Sequence, residues 1–456
     1  MLSGAKGTHP IDDIYSVTRL CTMWKSSKPQ SQLPRIFVGF SEISGMYSRI
    51  VKELRDIGYP ISFSETSLHP FDYHPGTVLS DFRFEHRLNR GDNRLTSVIP
   101  YLVFRIYHLF WALSNFDTFV FVYGRSFLPG NLDLPLLRLL RKRIVSYVGH
   151  GSEARPAFID GAHWSNALTT PDPLQSIHQT FLRQKKHMRR IERNSSLVIA
   201  HPLTSQLLRK PAVAGLYIGI PTPNNHIDWD TKLGPNSSRL NIIHSPSNRR
   251  AKGSDIIHDL VSRANSHQYP LDYTELHGVS NDEVISKLIE SDIAIDQLYS
   301  DTRLAGFGTE AASMGVAVLA GSYGVTELTE CVQEAFLPPA LVVHPRDIEE
   351  TFRRLVEDRD FRDQIANDCR TFISSNWSAK KVSERFLLVV NGSFPPDWFF
   401  DPLKISYVHG ACLQESELIS IWNSGTARFG QEFLDIPHRP DLYQKMQTMI
   451  LSAVTK

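Results

Sequence analysis

The stretch Gly306-Phe307-Gly308-Thr309-Glu310-Ala311-Ala312-Ser313-Met314-Gly315-Val316-Ala317-Val318 decides how this chain is read. Two glycines one residue apart lead into a run of small residues. A third glycine then precedes an apolar strand. Upstream, Asp292-Ile293-Ala294-Ile295-Asp296-Gln297 reads as a strand feeding the turn. Open N–H groups at such a helix start make a ready anion site. The glycines let backbone approach a phosphate or sugar with no Cβ in the way. Glu310 is expected on the first turn, within reach of a ligand's hydroxyls. Backbone donors for phosphate and a carboxylate for hydroxyls suit a nucleotide-sugar. A strand–turn–helix of Rossmann type that binds nothing has the same wording.

At 456 residues the chain is long enough for two or three domains. Its hydrophobic content of 41% and charged content of 21% are ordinary for a soluble globular protein. A formal net charge of +1 gives no global case for nucleic acid. The four cysteines, Cys21, Cys331, Cys369 and Cys412, are scattered, so neither a zinc site nor a disulfide framework is expected. Residues 1–28 lack a basic start followed by an apolar run, which argues against a secretory signal. The most apolar stretch, Val98 to Leu113, is interrupted by Arg105 and His108 and is too short and polar to span a membrane. A reducing, cytoplasmic setting is the expectation.

Four segments are expected: an N-terminal extension (1–33), a first Rossmann-like domain (34–220), a second (221–392) and a helical tail (393–456). Arg35-Ile36-Phe37-Val38-Gly39-Phe40 suits a buried parallel strand, and Met46 to Ile57 carries helical spacing up to Gly58. Ile61 to Phe63 follows as a strand, giving a βαβ opening. Further strands are expected at Phe119 to Gly124, Ile144 to Val148 and Leu197 to Ala200. Helices lie between them, the last of these, from about Leu174 to Arg193, being rich in basic residues. The linker Gly219-Ile220-Pro221-Thr222-Pro223-Asn224-Asn225 marks a boundary. A second α/β half starts at Leu240 to His244. It ends with strand Ala340 to Val343 and helices around Ile348 to Val356 and Ala379 to Val390. The aromatic run Asp397-Trp398-Phe399-Phe400 reads as a tail packing onto a domain.

The 306–318 stretch resembles the C-terminal donor site of retaining GT-B glycosyltransferases of the family-four (glycosyl transferases group 1) type. Their pattern reads Gly-Phe-Gly, Glu-Ala, a small-residue turn of helix, Gly and an apolar strand. The resemblance implies an α/β, GT-B-like fold: two Rossmann-like domains facing across a cleft, with C-terminal helices. It also implies donor contacts at Gly306, Phe307, Gly308 and Glu310. Members carry an earlier glutamate with seven residues between the two; the matching position here is Thr302, and Asp296 or Asp301 are its possible replacements.

Other segments agree. Ser247-Asn248-Arg249-Arg250-Ala251-Lys252-Gly253 resembles the family's Arg…Lys-Gly segment, implying that Arg249 and Lys252 clamp the donor diphosphate. A basic, solvated loop capped by Ser254 is the alternative. Gly149-His150-Gly151-Ser152-Glu153-Ala154-Arg155 resembles a His-Gly-Ser-Asp-x-Arg segment, with Glu153 for aspartate. His150 is then expected near the reacting sugar and Arg155 near a phosphate or acceptor. Equally, His150 caps a strand and Glu153–Arg155 is a local surface pair. Gly45, in the loop after the first strand, is the candidate for a donor contact from the first half, or merely lets a helix start close to the strand. Gly321 to Glu327 resembles the family's Gly-Gly-x-x-Glu turn.

The resemblance implies transfer of a sugar from a nucleotide-sugar to a glycan or lipid-linked acceptor, with retention. It implies no metal and no cofactor beyond the donor as co-substrate. The alternatives are an inactive nucleotide-sugar-binding partner and another Rossmann-type nucleotide-sugar enzyme. Arg183, Lys185, Lys186, Arg189, Arg190 and Arg193 crowd one helix. A solvated face is the favoured reading there over peripheral contact at the inner face of the cell membrane. The aromatics of Tyr101 to Trp111 are expected in the core or a cleft wall.

Overall fold

The computed structural model describes residues 33–65, 80–83, 94–222, 239–265, 270–410 and 412–454. The N-terminal extension up to residue 32 and the linker from Pro223 to Asn225 lie outside the described residues.

The first half is built on strands β1 (Ile36–Phe40), β2 (Ile61–Glu65), β3 (Ser80–Arg83), β4 (Thr118–Val122), β5 (Arg143–Tyr147), β6 (Leu197–Ala200) and β7 (Ala212–Ala214). They pair in parallel in the order 7-6-5-4-1-2-3. Both β1 and β4 are buried at every residue, as unbroken apolar runs must be in a sheet covered on both faces. The main helices are α1 (Met46–Asp56), α2 (Arg94–Asn115), α3 (Leu134–Leu139) and α4 (Pro173–Asn194). Strand order reverses between β1 and β4, so a crevice opens at their C-terminal ends.

The second half carries β8 (Leu240–His244), β9 (Leu271–Glu275), β10 (Ile293–Ile295), β11 (Ala317–Gly321) and β12 (Leu341–Val343). All pairs are parallel, in the order 12-11-10-8-9, with the reversal between β8 and β10. Helix α5 (Gly306–Ser313) follows β10; α6 (Arg359–Asn376) and α7 (Ala379–Asn391) come later. The fold is α/β, with two Rossmann-like domains facing across a cleft. The sequence reading has no counterpart for β3, β7, β9 or α6. In α6 the signal was present but diluted: Phe361, Ile365, Cys369 and Ile373 recur every fourth residue among charged neighbours.

The chain then returns to the first half. Helix α7 packs on α1, and Arg143 Nε donates to Val390 O at 2.6 Å. At the crossing, Gly219 has φ 88°, and a Cβ there would lie 2.5 Å from the buried indole of Trp377. Strand β13 (Phe399–Phe400) adds antiparallel to β7, and Trp398 stacks on Tyr217. Helices α8 (Glu415–Phe429) and α9 (Pro440–Val454) close the chain. Trp422 Nε1 of α8 donates to Phe158 O in the first half at 2.9 Å. The last 60 or so residues therefore complete the first domain's sheet and core.

Candidate functional site

Both strand-order reversals open onto one cavity of about 460 Å³ between the halves. From the first half it is lined by Ser44, Tyr123, Tyr147, His150, Arg155 and His201. From the second it is lined by Lys252, Asn281, Gln297, Thr302, Gly306, Phe307 and Glu310.

Helix α5 begins at Gly306, with Ala305 as its N-cap and no side-chain cap bond. The first-turn N–H groups of an uncapped helix have no intrahelical acceptors, and Ala305, Gly306 and Phe307 face the cavity. The glycines do not make a turn before the helix, as the sequence suggested; they are its first residues. Their lack of a side chain serves close packing. A Cβ on Gly306 would lie 2.6 Å from Ser44 Oγ of the opposite half, and one on Gly308 would lie 2.9 Å from Asp296 Oδ2. Gly308 thus faces protein and not the cavity.

Glu310 lies one turn later than expected, as the fifth helical residue. It is buried and contacts both halves. Asn281 Nδ2 donates to its Oε2 at 3.1 Å, and Arg49 Nη2 of α1 stands 3.6 Å from its Oε1. Burial raises its pKa against the opposing pull of Arg49 and Asn281. Arg49 is itself fixed by donating to Pro221 O at 2.9 Å and Ser44 O at 3.2 Å.

Lys252 ends the short helix Arg249–Lys252 that follows β8. Its ammonium bonds Gln297 Oε1 and lies 3.6 Å from Asp296 Oδ1. Asp296 also accepts from Ala305 N at 3.2 Å, so this carboxylate stands between Lys252 and the start of α5, and both line the cavity. Arg249 does not line it. Its guanidinium forms ion pairs with Glu275 and Asp255. Arg249 sits on the same side of the short helix as Lys252, and these two carboxylates draw it away. Gly45 is also outside the lining. It is the N-cap residue of α1, with φ 72°, and a Cβ there would lie 3.1 Å from the Arg49 guanidinium carbon.

On the opposite wall, His150 sits among tyrosines. Its Nε2 shares a 3.0 Å hydrogen bond with Tyr47 Oη, and its ring centroid is 3.8 Å from that of Tyr147. Burial, helped by nearby His201, pushes its pKa down to about 3, so it is neutral near physiological pH. His201, which the sequence reading passed over, has neither ring nitrogen hydrogen-bonded, and burial lowers it to about 4. Its position one residue beyond β6 was the available signal, since ligands in open parallel sheets meet strand C-terminal ends.

Arg155 is not a surface partner of Glu153. It is buried and shared between two carboxylates, Asp160 at 2.7 Å and Asp301 from the second half; Tyr407 Oη of the returning tail donates to Asp301 at 2.9 Å. Thr302 lines the cavity and donates to Leu304 O at 3.3 Å. Among the described residues no three His, Cys, Asp or Glu groups are arranged to hold a metal ion.

Glu153 accepts from Gly151 N at 3.0 Å, while its other carboxylate oxygen is buried without a hydrogen bond. Burial raises its pKa to about 7. A carboxyl whose folded pKa exceeds its unfolded value favours folding below the unfolded value, and that advantage is lost as pH rises through the folded one. Glu153→Gln is therefore expected to leave the melting temperature near wild type at about pH 5 and to raise it above wild type at about pH 8. A pH series of thermal melts on both proteins checks this.

No family model matches the chain, and no curated protein matches it. Solved structures with a similar chain trace include HepE of Anabaena in complex with UDP, at 12% identity and TM-score 0.46, covering 78% of this chain and 100% of that one. A UDP-N-acetylglucosamine 2-epimerase of Listeria monocytogenes is similar at 11% identity and TM-score 0.42, covering 79% and 96%. The glycosyltransferase SnogD of Streptomyces nogalater is similar at 11% and 0.36, covering 79% and 100%. The two-domain architecture rests on the strand order and pairing described above.

Proposed function

We propose that this protein is a glycosyltransferase that moves a sugar from a nucleotide-sugar to a glycan or lipid-linked acceptor, with retention and without metal. The observation that carries the reading is that Lys252 and the first residues of α5, linked through Asp296, line the same interdomain cavity. An ammonium and a helix N-terminus supply the positive potential that a departing nucleoside diphosphate needs. Glu310 supplies a carboxylate for sugar or ribose hydroxyls once Arg49 gives way. Neutral His150, on the facing wall, can orient a hydroxyl of the transferred sugar or acceptor. Retention follows from the resemblance, with the leaving phosphate assisting deprotonation of the acceptor.

A second reading is a nucleotide-sugar-binding protein without turnover. Thr302 in place of a carboxylate, and the commitment of Asp301 to Arg155 and Tyr407, favour it. A thermal-shift panel of nucleoside diphosphates and nucleotide-sugars tests the common part. One nucleotide class is expected to stabilise the wild type and not Lys252→Ala. No stabilisation by any of them would remove the donor site from consideration. Given a binding nucleotide-sugar, release of the nucleoside diphosphate with candidate acceptors separates transfer from silent binding. Conversion of the donor alone would instead indicate another nucleotide-sugar enzyme.

A further inference from the structure

We propose that the outer face of the first domain, formed by α2, α3 and α4, is a docking surface for an anionic lipid bilayer. The inference stands apart from the proposed transfer reaction and from the cleft. Right-handed crossovers place α1 on one face of the first sheet and α2, α3 and α4 together on the other, because the strand order reverses after β3. The three helices are joined side by side. Lys142 Nζ, just past α3, donates to Phe116 O, just past α2, at 2.6 Å; Arg138 of α3 donates to Arg193 O of α4; and Arg190 of α4 bonds Gly130 O in the turn before α3.

Seventeen large apolar side chains are exposed among the described residues. Ten of them lie on these helices or in the turns flanking α3, a concentration that scattered surface apolar residues do not show. Val103 and Phe110 of α2 are each 60% exposed; Leu132 and Leu139, at the two ends of the α3 segment, are 63% and 78% exposed. None of them lines the cleft. The expected placing of the Tyr101 to Trp111 aromatics in core or cleft wall therefore holds for only part of that helix.

The charges beside this apolar band are one-sided. Arg183, Lys186, Arg189, Arg190 and Arg193 form the exposed face of α4, and Arg138 is exposed on α3. The only carboxylate in the three helices is Glu192, which is buried and accepts from the backbone of Arg209 and Lys210. A chain of formal charge +1 overall thus gathers its positive charge here. Nucleic acid would satisfy the arginines but leave the leucines in water. A bilayer interface takes both, with apolar side chains at the acyl boundary and arginines at lipid phosphates. The neighbouring leucines of α3 turn a basic helix that reads as solvated on its own into one edge of an amphipathic surface.

The test is co-sedimentation of the full chain with vesicles of phosphatidylcholine alone or mixed with phosphatidylglycerol. Binding is expected to the mixed vesicles, to weaken with added salt, and to fall about tenfold or more in the double variant Phe110→Asp/Leu139→Asp and in Arg189→Glu. Melting curves of these variants should match wild type, since the replaced side chains are exposed. Absence of binding to mixed vesicles would overturn the proposal, as would undiminished binding by the double variant. A concentration-dependent dimer that Leu139→Asp dissolves would assign the face to a second copy of the chain instead. Among the described residues no helix is long and apolar enough to cross a membrane, so the contact would be peripheral.

Discussion

Replacing Arg155 by methionine is expected to lower the melting temperature by on the order of 10 °C, more than a change at Glu153, Asp301 or Lys252 would. Arg155 bonds Asp160 in its own half and Asp301 in the other, and Tyr407 of the returning tail completes the shell of Asp301. Methionine fills the volume but leaves two buried carboxylates without a cation. Stranding one partner of a buried ion pair costs about 3–5 kcal/mol. In the native protein the two acids respond differently. Burial outweighs Arg155 at Asp301 and raises its pKa. At Asp160 the raising effect of burial is exceeded by Arg155, His163 and further hydrogen bonds, and the pKa falls.

The pH dependence of the variant follows. Without the guanidinium both carboxyls have folded pKa values above their unfolded ones. Their contribution is then favourable at low pH and is lost as pH rises through the folded values. The deficit of Arg155→Met relative to wild type should therefore be smallest below about pH 4 and widest at neutral pH. Thermal melts across pH check it, and a deficit that grows on acidification would contradict the account. Asp301→Asn should cost less, because Arg155 keeps Asp160.

Lys252→Ala is expected to weaken nucleotide-sugar binding by on the order of 100-fold, if the cavity beside it is the diphosphate site. Removing one member of a desolvated charge pair costs roughly 2–5 kcal/mol, and each 1.4 kcal/mol is about tenfold in affinity. The apo protein should lose some stability too, because Asp296, almost fully buried, loses its nearest cation. The double variant Lys252→Ala/Asp296→Asn separates the effects: it should regain stability without regaining affinity. Isothermal titration with the nucleotide that stabilises the wild type gives the affinity, and melting curves give the stability. Recovery of affinity in the double variant would mean that Lys252 serves only to neutralise Asp296. Arg249→Ala is expected to change affinity little, since its guanidinium is engaged by Glu275 and Asp255 outside the cavity.

Much of the architecture was readable from local pattern alone. Apolar runs such as Phe37-Val38 and Phe119-Val120 report parallel strands covered on both faces, and Leu240 to His244 and Leu197 to Ala200 were placed to the residue. Lys252, Gly306, Phe307 and Glu310, singled out from the resemblance and from the glycines after β10, all line the cavity. The direction in which neighbouring side chains point was not readable. Arg249 and Lys252 lie three residues apart on neighbouring positions of one helical turn, and only the placement of their partners, Glu275 and Asp255 for one and Gln297 for the other, separates them.

Longer-range partnerships were hidden for the same reason. Arg155 with Asp301, Arg49 with Glu310 and β13 with β7 join residues far apart in the chain. Nothing in local composition encodes which surfaces two folded halves present to each other. The sequence by itself thus determined most of the elements, the two-domain α/β class and the chemistry available on each loop, through propensity and periodicity. Tertiary structure alone decided which of those groups meet in the cleft, which are neutralised in ion pairs, and which remain on the surface. Those outcomes depend on packing whole domains, where burial and Coulomb terms act across space and not along the chain.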